Sequence, residues 1–278
     1  MPHSKGVLFP GRQRPGLSFK RYSPAAELAD VVTHYWIPRW DLRGKEPITQ
    51  EIIQYPTSNL VVEPEQAALY GVTLSRGTRR LAGQSWAFGA MLAPGAGYGL
   101  LGRSLVSIRN GQAELDGSFG EAVPTRSAAG LVAELRAVGG SDADLIRVFE
   151  RWLLTRESLW DAETVRCRRE VNDLVKVVAD NRDVVRVEEL ALRANRSVRG
   201  LQRLTRDYIG VSPKWIISRY RLQEAAYALA EAGASEAETT LTELAFRLGY
   251  ADQAHFSRDF KSTIGIGPRE YLRRNILH

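Results

Sequence analysis

The sequence has little of what disulfide frameworks, metal centres and membrane spans need. Its 278 residues include one cysteine, Cys167, and four histidines. A single cysteine excludes an intrachain disulfide and fits a reducing compartment. No His-x-His or His-Glu-x-x-His pair occurs, so the ligands of a zinc site are missing. No apolar run reaches the roughly 18 residues of a membrane span. We therefore expect no cofactor, no metal and no membrane partner.

Signals for secretion and for catalysis are also missing. Residues 1–22 are basic but lack the apolar stretch of a secretory signal, which predicts a cytoplasmic protein. No Gly-x-Ser-x-Gly motif is present, and neither a metal-ligand set nor an acid–base pair stands out in residues 17–119. Cys167 has no histidine nearby in sequence, although its arginine neighbours leave a redox-sensing role open. The sequence predicts that the protein is not an enzyme.

Gly97–Gly102 has the spacing Gly-x-Gly-x-x-Gly, which also occurs in dinucleotide-binding folds. That fingerprint needs a strand before it and a helix after it. Here "RSLVSIRNG" follows, which we interpret as a strand and a hairpin turn at Asn110-Gly111. A glycine-rich β-turn region is the expected structure.

The chain has two regions with different patterns. Residues 17–119 contain short runs rich in β-branched and aromatic residues, separated by Pro and Gly, with one short helix expected near 24–29. This pattern is typical of a β-sandwich or barrel. After Pro124 the apolar residues follow helical spacing, and "TRESLWDAET" is the expected boundary. The predicted fold is α+β and multidomain: a β-rich barrel or sandwich with a helical tail over 1–160, then an all-α domain over 166–278.

Most of the net charge of +6 lies in the helical region. From Arg166 onward there are 20 Lys and Arg against 15 Asp and Glu, whereas the first 165 residues carry 18 against 17. This excess is modest, but it favours a polyanionic partner for the C-terminal part.

The helical region contains a repeat. Residues 201–213, "LQRLTRDYIGVSP", align with residues 256–268, "FSRDFKSTIGIGP", at a constant offset of 55. Each copy follows a short amphipathic helix, a residue suited to a sharp turn and a residue suited to cap the next helix. These are Asn195 and Ser197 in the first copy, and Gly249 and Asp252 in the second. A helix, a tight turn and a capped helix form a helix-turn-helix, so two such units are predicted.

The second helix of each unit has one apolar and one polar face. Val198, Leu201, Leu204 and Tyr208 in the first copy, and Phe256 and Phe260 in the second, are spaced to face the core. The outward residues are then Arg199, Gln202, Arg203, Arg206, Gln253, His255, Ser257, Arg258 and Lys261. Arg pairs with two atoms of guanine and Gln with two of adenine in the major groove. We therefore interpret both helices as DNA-recognition helices, with phosphate contacts expected from Arg206, Lys214 and Lys261.

From about residue 171 to 274 the sequence resembles the DNA-binding domain of AraC/XylS-type transcription regulators. The resemblance rests on "SVRGLQRL" with "GVSP", on "RYRLQEAAYAL" and on "LTELAFRLGYADQAHFSRDFKSTIGIGPREYL". It implies seven helices, with a long one over about 213–231 holding two helix-turn-helix units apart. It also implies base contacts from Arg199, Gln202, Arg203, Gln253, His255, Ser257 and Arg258. Thr205 stands where the family usually has Phe, and Arg196 where a small apolar residue is common, so a looser first unit is expected.

The N-terminal region resembles, more loosely, an uncharacterised sensor-type domain found ahead of such DNA-binding domains. The segments concerned are "SPAAELADVVTHYWIPRWDL", "YGVTLSRGTRRLAG" and "AFGAMLAPGAGYGLLG". The resemblance implies a cupin-like β-barrel that binds a small-molecule effector and dimerises. Independently of it, seven aromatic residues could line a pocket, although most are more simply barrel core: Trp36, Trp40, Trp86, Phe88, Tyr35, Tyr55 and Tyr98. Trp36 and Trp86 are the first candidates for ligand contact.

We therefore expect a sequence-specific regulator that binds double-stranded DNA and responds to a small-molecule effector. RNA polymerase and a second copy of the chain are open as partners. A cupin-like enzyme with a helical appendage, or a ligand-free DNA-binding dimer, are the alternatives. The sequence names neither the effector nor the operator, and does not distinguish activation from repression.

Overall fold

A computed structural model of the chain describes residues 16–52, 55–74, 77–114, 128–138, 141–181, 183–235 and 240–276. Strands lie in the first part, up to residue 114, and helices predominate from residue 128 onward. The predicted α+β fold class is confirmed: a β-rich N-terminal region precedes an all-helical C-terminal region.

The N-terminal region is built around an antiparallel sheet. Within the described residues, the nine strands are β1 Leu17–Tyr22, β2 Val32–Leu42, β3 Ile48–Ile52, β4 Asn59–Val62, β5 Ala67–Tyr70, β6 Gly77–Leu81, β7 Gly83–Trp86, β8 Phe88–Leu92 and β9 Gln112–Glu114. In the main sheet the strand order is β1-β2-β8-β4-β5-β9, with β7 beside β2, while β3 and β6 form a separate two-stranded ribbon. The short helix expected near 24–29 is a 3-10 turn at Ala26–Leu28.

Two helices cover this sheet. They are α2 Ala128–Ala137 and α3 Asp142–Glu157. The five apolar residues predicted to lie on one face of α3 are all buried: Leu145, Val148, Phe149, Trp152 and Leu153. Phe149 packs on Phe88 of β8 with ring centroids 4.8 Å apart, and edge-on against Tyr35 of β2. Offset and edge-on ring pairs of this kind add to the stability that burial gives.

The segment between β8 and β9 corrects two sequence predictions. Gly97–Gly102 is not a β-turn region, because Ala96–Leu101 forms a helix, α1, that ends at Gly102. Residues 105–108 form a second 3-10 turn rather than a strand. Asn110 does adopt a left-handed conformation with φ of 59°, but β9 pairs with β5 and not with residues 104–109, so the predicted hairpin is wrong.

Seven helices make up the rest of the described chain, as the resemblance implied. They are α4 Ala162–Asp180, α5 Val187–Arg193, α6 Val198–Tyr208, α7 Pro213–Ser235, α8 Leu241–Arg247, α9 Gln253–Ile264 and α10 Pro268–Ile276. The long helix α7 continues about one turn beyond its predicted end and passes through Gly233. The domain boundary placed between residues 160 and 166 stays a prediction; α4 begins at Ala162 with Asp161 as its N-cap.

The helical region has two separate hydrophobic cores. The first joins α4, α5, α6 and the start of α7, and it also includes Val72 and the partly buried Tyr98 of the N-terminal region. The second joins the end of α7 with α8, α9 and α10. The first helix-turn-helix unit therefore shares a core with the N-terminal region, whereas the second unit has a core of its own.

Candidate nucleic-acid interface

The first helix-turn-helix unit forms as its sequence predicts. Asn195 adopts a left-handed conformation with φ of 49° between α5 and α6. Ser197 caps α6, since its hydroxyl accepts a hydrogen bond from the Gly200 N–H at 3.1 Å. Ala191 is buried where the two helices cross. The turn and the cap fix the angle at which α6 leaves α5.

The second unit repeats this construction with different residues. Gly249 takes the left-handed conformation, with φ of 70°, and the Asp252 carboxylate accepts a hydrogen bond from the His255 N–H at 2.7 Å. At the start of α8, Thr240 and Glu243 form a reciprocal capping box. Both predicted caps are thus confirmed, and the two recognition helices begin in equivalent ways.

The outward face of α6 carries the predicted cations. Arg199, Gln202, Arg203 and Arg206 are all exposed, while Leu201, Leu204 and Tyr208 on the opposite side are buried. Among the described residues, the three guanidinium groups on this face have no hydrogen-bond or ion-pair partner. An exposed row of cations without carboxylate partners leaves its charge available to an external anion.

The outward face of α9 is partly engaged within the protein. His255, Arg258 and Lys261 are exposed, whereas Gln253 and Ser257 are half-buried. The Gln253 amide oxygen accepts a hydrogen bond from the Thr242 hydroxyl at 2.9 Å. The imidazole of His255 lies edge-on to the Tyr250 ring and 3.7 Å from an Asp259 carboxylate oxygen. Arg258 and Lys261 are therefore the cations on this helix that remain open to a partner.

The two departures from the family pattern have local explanations. Thr205 is fully buried, and its hydroxyl donates to the Gln202 carbonyl at 3.3 Å, so a polar group in the core is satisfied within its own helix. Arg196 does not disturb the turn. Its guanidinium forms two hydrogen bonds with Glu170 of α4, one of them from Nη2 at 2.7 Å. This ion pair ties the turn to α4 and compensates for the missing small apolar residue.

Helix α7 connects the two units. Its 23 residues give it a length of about 34 Å at 1.5 Å per residue, close to one helical turn of B-DNA. Arg221, which the sequence did not single out, stacks over the Tyr250 ring at 4.4 Å and reaches the turn at Gly249. Burial lowers the pKa of this guanidinium. The Arg221–Tyr250 stack attaches the second unit to the middle of α7.

Two clefts open on the N-terminal sheet. The larger has a volume of about 860 Å³ and the smaller about 720 Å³, and they share Trp40, Pro64 and Ser85. Such volumes suit small-molecule ligands. Trp86 lines the smaller cleft, while Trp36, which stacks on Phe19, lines neither. Trp40 lines both clefts, although the sequence ranks it behind Trp36 and Trp86, because an aromatic strand residue carries no sign of whether it faces a core or a cleft.

Cys167 is buried in α4. Burial raises the pKa of its thiol, and the hydrogen bond from Tyr208 and the nearby Arg166 only partly oppose this. Because the thiolate is the reactive form, this environment does not favour the redox-sensing role that the arginine neighbours left open.

Comparison with known protein families places two domains on the chain. A helix-turn-helix domain family matches residues 190–274, and a domain of unknown function, DUF6597, matches residues 20–114. The first match covers both units described above. Within the described part of the chain, no helix combines the length and apolar character that crossing a membrane requires.

Curated relatives match over part of the chain. The HTH-type transcriptional activator RhaS of Klebsiella pneumoniae is 28% identical over 148 residues, which is 50% of this chain and 51% of that protein. RhaS of Escherichia fergusonii is 32% identical over 101 residues, which is 36% of this chain and 34% of that protein. The chain thus spans about half, or less, of the curated relatives that it matches.

Solved structures match over different shares of this chain. A probable AraC family transcriptional regulator from Rhodopseudomonas palustris is 30% identical, over 38% of this chain and 96% of that one, with a TM-score of 0.35. ToxT from Vibrio cholerae is 12% identical over 94% of this chain and 98% of that one, with a TM-score of 0.38. These TM-scores are too low to argue a common arrangement. The two capped units and the helix-turn-helix family match nonetheless agree: the C-terminal domain of this chain is an AraC/XylS-type DNA-binding domain.

Proposed function

We propose that the protein is a transcription regulator that reads two successive major-groove segments of one operator, through α6 and α9. One observation carries the proposal: each recognition helix exposes cations without carboxylate partners, on two helix-turn-helix units that are connected by one helix, α7, about as long as one turn of DNA. The curated relatives carry the names of transcriptional regulators rather than enzymes. We accordingly propose a cytoplasmic, non-enzymatic protein whose partner is double-stranded DNA.

The candidate DNA-contacting residues fall into two groups, those assigned to base edges and those assigned to phosphates. Arg199, Gln202 and Arg203 on α6, and Gln253, His255, Ser257 and Arg258 on α9, belong to the first halves of the helices and are assigned to base edges. Arg206, Lys214 and Lys261 lie further along the chain, are exposed, and are assigned to phosphates. In the second unit Gln253 keeps its amide nitrogen free to donate, because Thr242 occupies only the oxygen.

Selection of bound duplexes from a random DNA pool tests this function directly. The full chain at about 150 mM salt should enrich two short boxes centred about one helical turn, roughly 34 Å, apart. A single enriched box would remove one recognition helix from the proposal. Binding without any enrichment would leave only charge-driven association and overturn sequence-specific regulation.

Substitutions in α9 separate base reading from phosphate binding. Arg258→Ala should cost about 1–3 kcal/mol and relax one base position of the second box. Lys261→Ala, one helical turn further on, should weaken binding evenly on all sequences and lower the salt slope of the dissociation constant by about one unit. Fluorescence anisotropy on matched and mutated boxes at several salt concentrations measures both effects. An even loss with Arg258→Ala would contradict base reading there.

The N-terminal clefts support an effector-binding role, which we propose as the means of regulation. In a thermal-shift screen of small metabolites, a ligand at 100 times its dissociation constant should stabilise the chain by about 2.7 kcal/mol. Ala133 is exposed on α2 and lines the larger cleft, so Ala133→Trp should obstruct ligand binding there and reduce or abolish the shift. Ala143→Trp, at an exposed position of α3 outside the cleft, is the matched control and should keep the shift. A shift that Ala133→Trp leaves undiminished would place the ligand elsewhere.

A further inference from the structure

A segment of the N-terminal region, residues 95–110, packs against the end of the first recognition helix. The Tyr98 ring of α1 stacks on the Tyr208 ring of α6, with centroids 4.3 Å apart and planes 19° apart. The Ser104 hydroxyl lies 3.5 Å from the Arg206 carbonyl oxygen at the last turn of α6. Leu105, at the start of the following 3-10 turn, is completely buried. The contact is therefore both aromatic and polar, and it meets α6 at its carboxyl end.

The position of this segment is closely defined. Gly210, directly after α6, has φ of 92°, and a Cβ atom there would lie 2.9 Å from the Leu105 carbonyl oxygen. At the other end of the segment, the Gly95 N–H donates to the Asn172 side chain of α4 at 2.9 Å. Arg219 of α7 adds a third tie, since its guanidinium donates to the Leu74 carbonyl at 2.8 Å. Contacts from α4, from the end of α6 and from α7 thus hold the N-terminal region against the first unit.

The outer side of the same segment is cationic. Arg103 and Arg109 are both exposed, and neither has a hydrogen-bond or ion-pair partner among the described residues. Arg103 directly precedes Ser104, which touches Arg206. On α6 itself, Arg199, Arg203 and Arg206 follow at spacings of four and three, so they lie along one exposed side. The N-terminal region therefore places an exposed, unpartnered guanidinium, that of Arg103, next in sequence to the residue that contacts the last turn of the recognition helix.

Many arginines of the chain are neutralised, but not all of those outside this segment. Arg39, Arg79, Arg147, Arg151, Arg166, Arg168, Arg193 and Arg196 form ion pairs with carboxylates. Arg80, Arg136 and Arg247 are exposed and, like Arg103, have no partner among the described residues. Leaving several arginines unneutralised next to one another costs repulsion that an external polyanion would relieve. Since α6 is the helix assigned to the major groove, the polyanion at its end is the phosphate backbone that borders that groove.

We propose that the N-terminal region is part of the DNA-binding surface, and that Arg103 contacts a phosphate flanking the first box. The proposal rests on the DNA-binding function proposed above. It makes the N-terminal region a direct contributor to affinity rather than only a site of control. Arg103 lies outside the recognition helix, and we assign it to a phosphate rather than to a base edge. Its contribution to binding affinity should therefore not depend on the DNA sequence.

The test uses the full chain and a duplex carrying both boxes, with the dissociation constant measured by anisotropy from about 50 to 300 mM salt. Arg103→Ala should lower the salt slope by about one unit, so its loss of affinity relative to the unmodified chain should be about three- to fivefold greater at 50 mM than at 200 mM salt. Arg103→Lys keeps the charge and should restore the slope. Arg80→Ala is the matched control: Arg80 is also exposed and unpartnered, but lies on the β3–β6 ribbon. It changes net charge equally and should leave the slope unchanged.

Three outcomes would contradict the proposal or the function on which it rests. A slope for Arg103→Ala equal to that of Arg80→Ala overturns the proposal. A lower melting temperature for Arg103→Ala with an unchanged slope also overturns it, because Arg103 would then act only on the carboxyl end of α6, where a positive charge stabilises a helix. If the unmodified chain binds no duplex across the salt range, the proposed function itself fails, and that result is distinguishable from a failure at Arg103 alone.

Discussion

Phe256→Ala should disable the second recognition helix while the rest of the molecule stays folded. The Phe256 side chain is completely buried, with the rings of Tyr250 and Phe260 at 5.4 and 5.7 Å. Truncating a buried Phe to Ala typically costs about 3–5 kcal/mol. This loss falls on the second core, which is separate from the core that the first unit shares with the N-terminal region. Hydrogen exchange should lose protection in α8, α9 and α10, and the second box should no longer be bound.

The repeat supplies the control for this prediction. Leu201 occupies the position in α6 that Phe256 occupies in α9, and it is also completely buried. Leu201→Ala should cost about 2–5 kcal/mol, but its core contains residues of the N-terminal region, so protection should fall there as well. If Phe256→Ala instead destabilises the N-terminal sheet as much as Leu201→Ala does, the two cores are not independent folding units.

The helix-turn-helix units could be predicted because their determinants are local. Ser197 and Asp252 each cap a helix by accepting a hydrogen bond from the backbone N–H three residues further along the chain. Asn195 and Gly249 occupy the left-handed turn positions. Helical spacing then separates the buried from the exposed residues of α6 and α9. None of these features requires knowledge of a distant partner, so the candidate DNA-binding face followed from the sequence.

The segment around α1 could not be predicted, because its conformation depends on distant contacts. The sequence alone predicts a β-turn region for its glycines. In the structure, Gly99 lies on a helix, and Trp160 packs so closely against it that no side chain fits. A Cβ atom at this position would be 2.4 Å from the indole ring. The stack of Tyr98 on Tyr208 likewise joins residues 110 positions apart. Local propensity is overridden where such tertiary contacts decide the outcome.

Gly210→Ala should separate the N-terminal region from the first recognition helix. Two costs combine at this position. An L-residue at φ of 92° costs about 1–2 kcal/mol in backbone strain. The new methyl group would also press on the Leu105 backbone at 2.9 Å, and overpacking of this kind typically costs a further 1–3 kcal/mol. We expect a chemical denaturation midpoint below that of the unmodified chain, and weaker binding of the first box than of the second.

Gly265→Ala distinguishes the two costs, because Gly265 is the repeat partner of Gly210 and has nearly the same φ, 90°. It follows α9, whose buried residues belong to the second core. Strain alone predicts equal losses of unfolding free energy for the two variants, whereas docking of residues 95–110 on α6 predicts a larger loss for Gly210→Ala. The excess should shrink when Leu105 is also changed to Ala, because the truncated residue loses the packing that fixes its backbone and that backbone can move away from the new methyl group. Equal losses in all backgrounds would mean that the N-terminal region does not dock on α6 in solution, and Arg103 would then have no fixed place beside the first box.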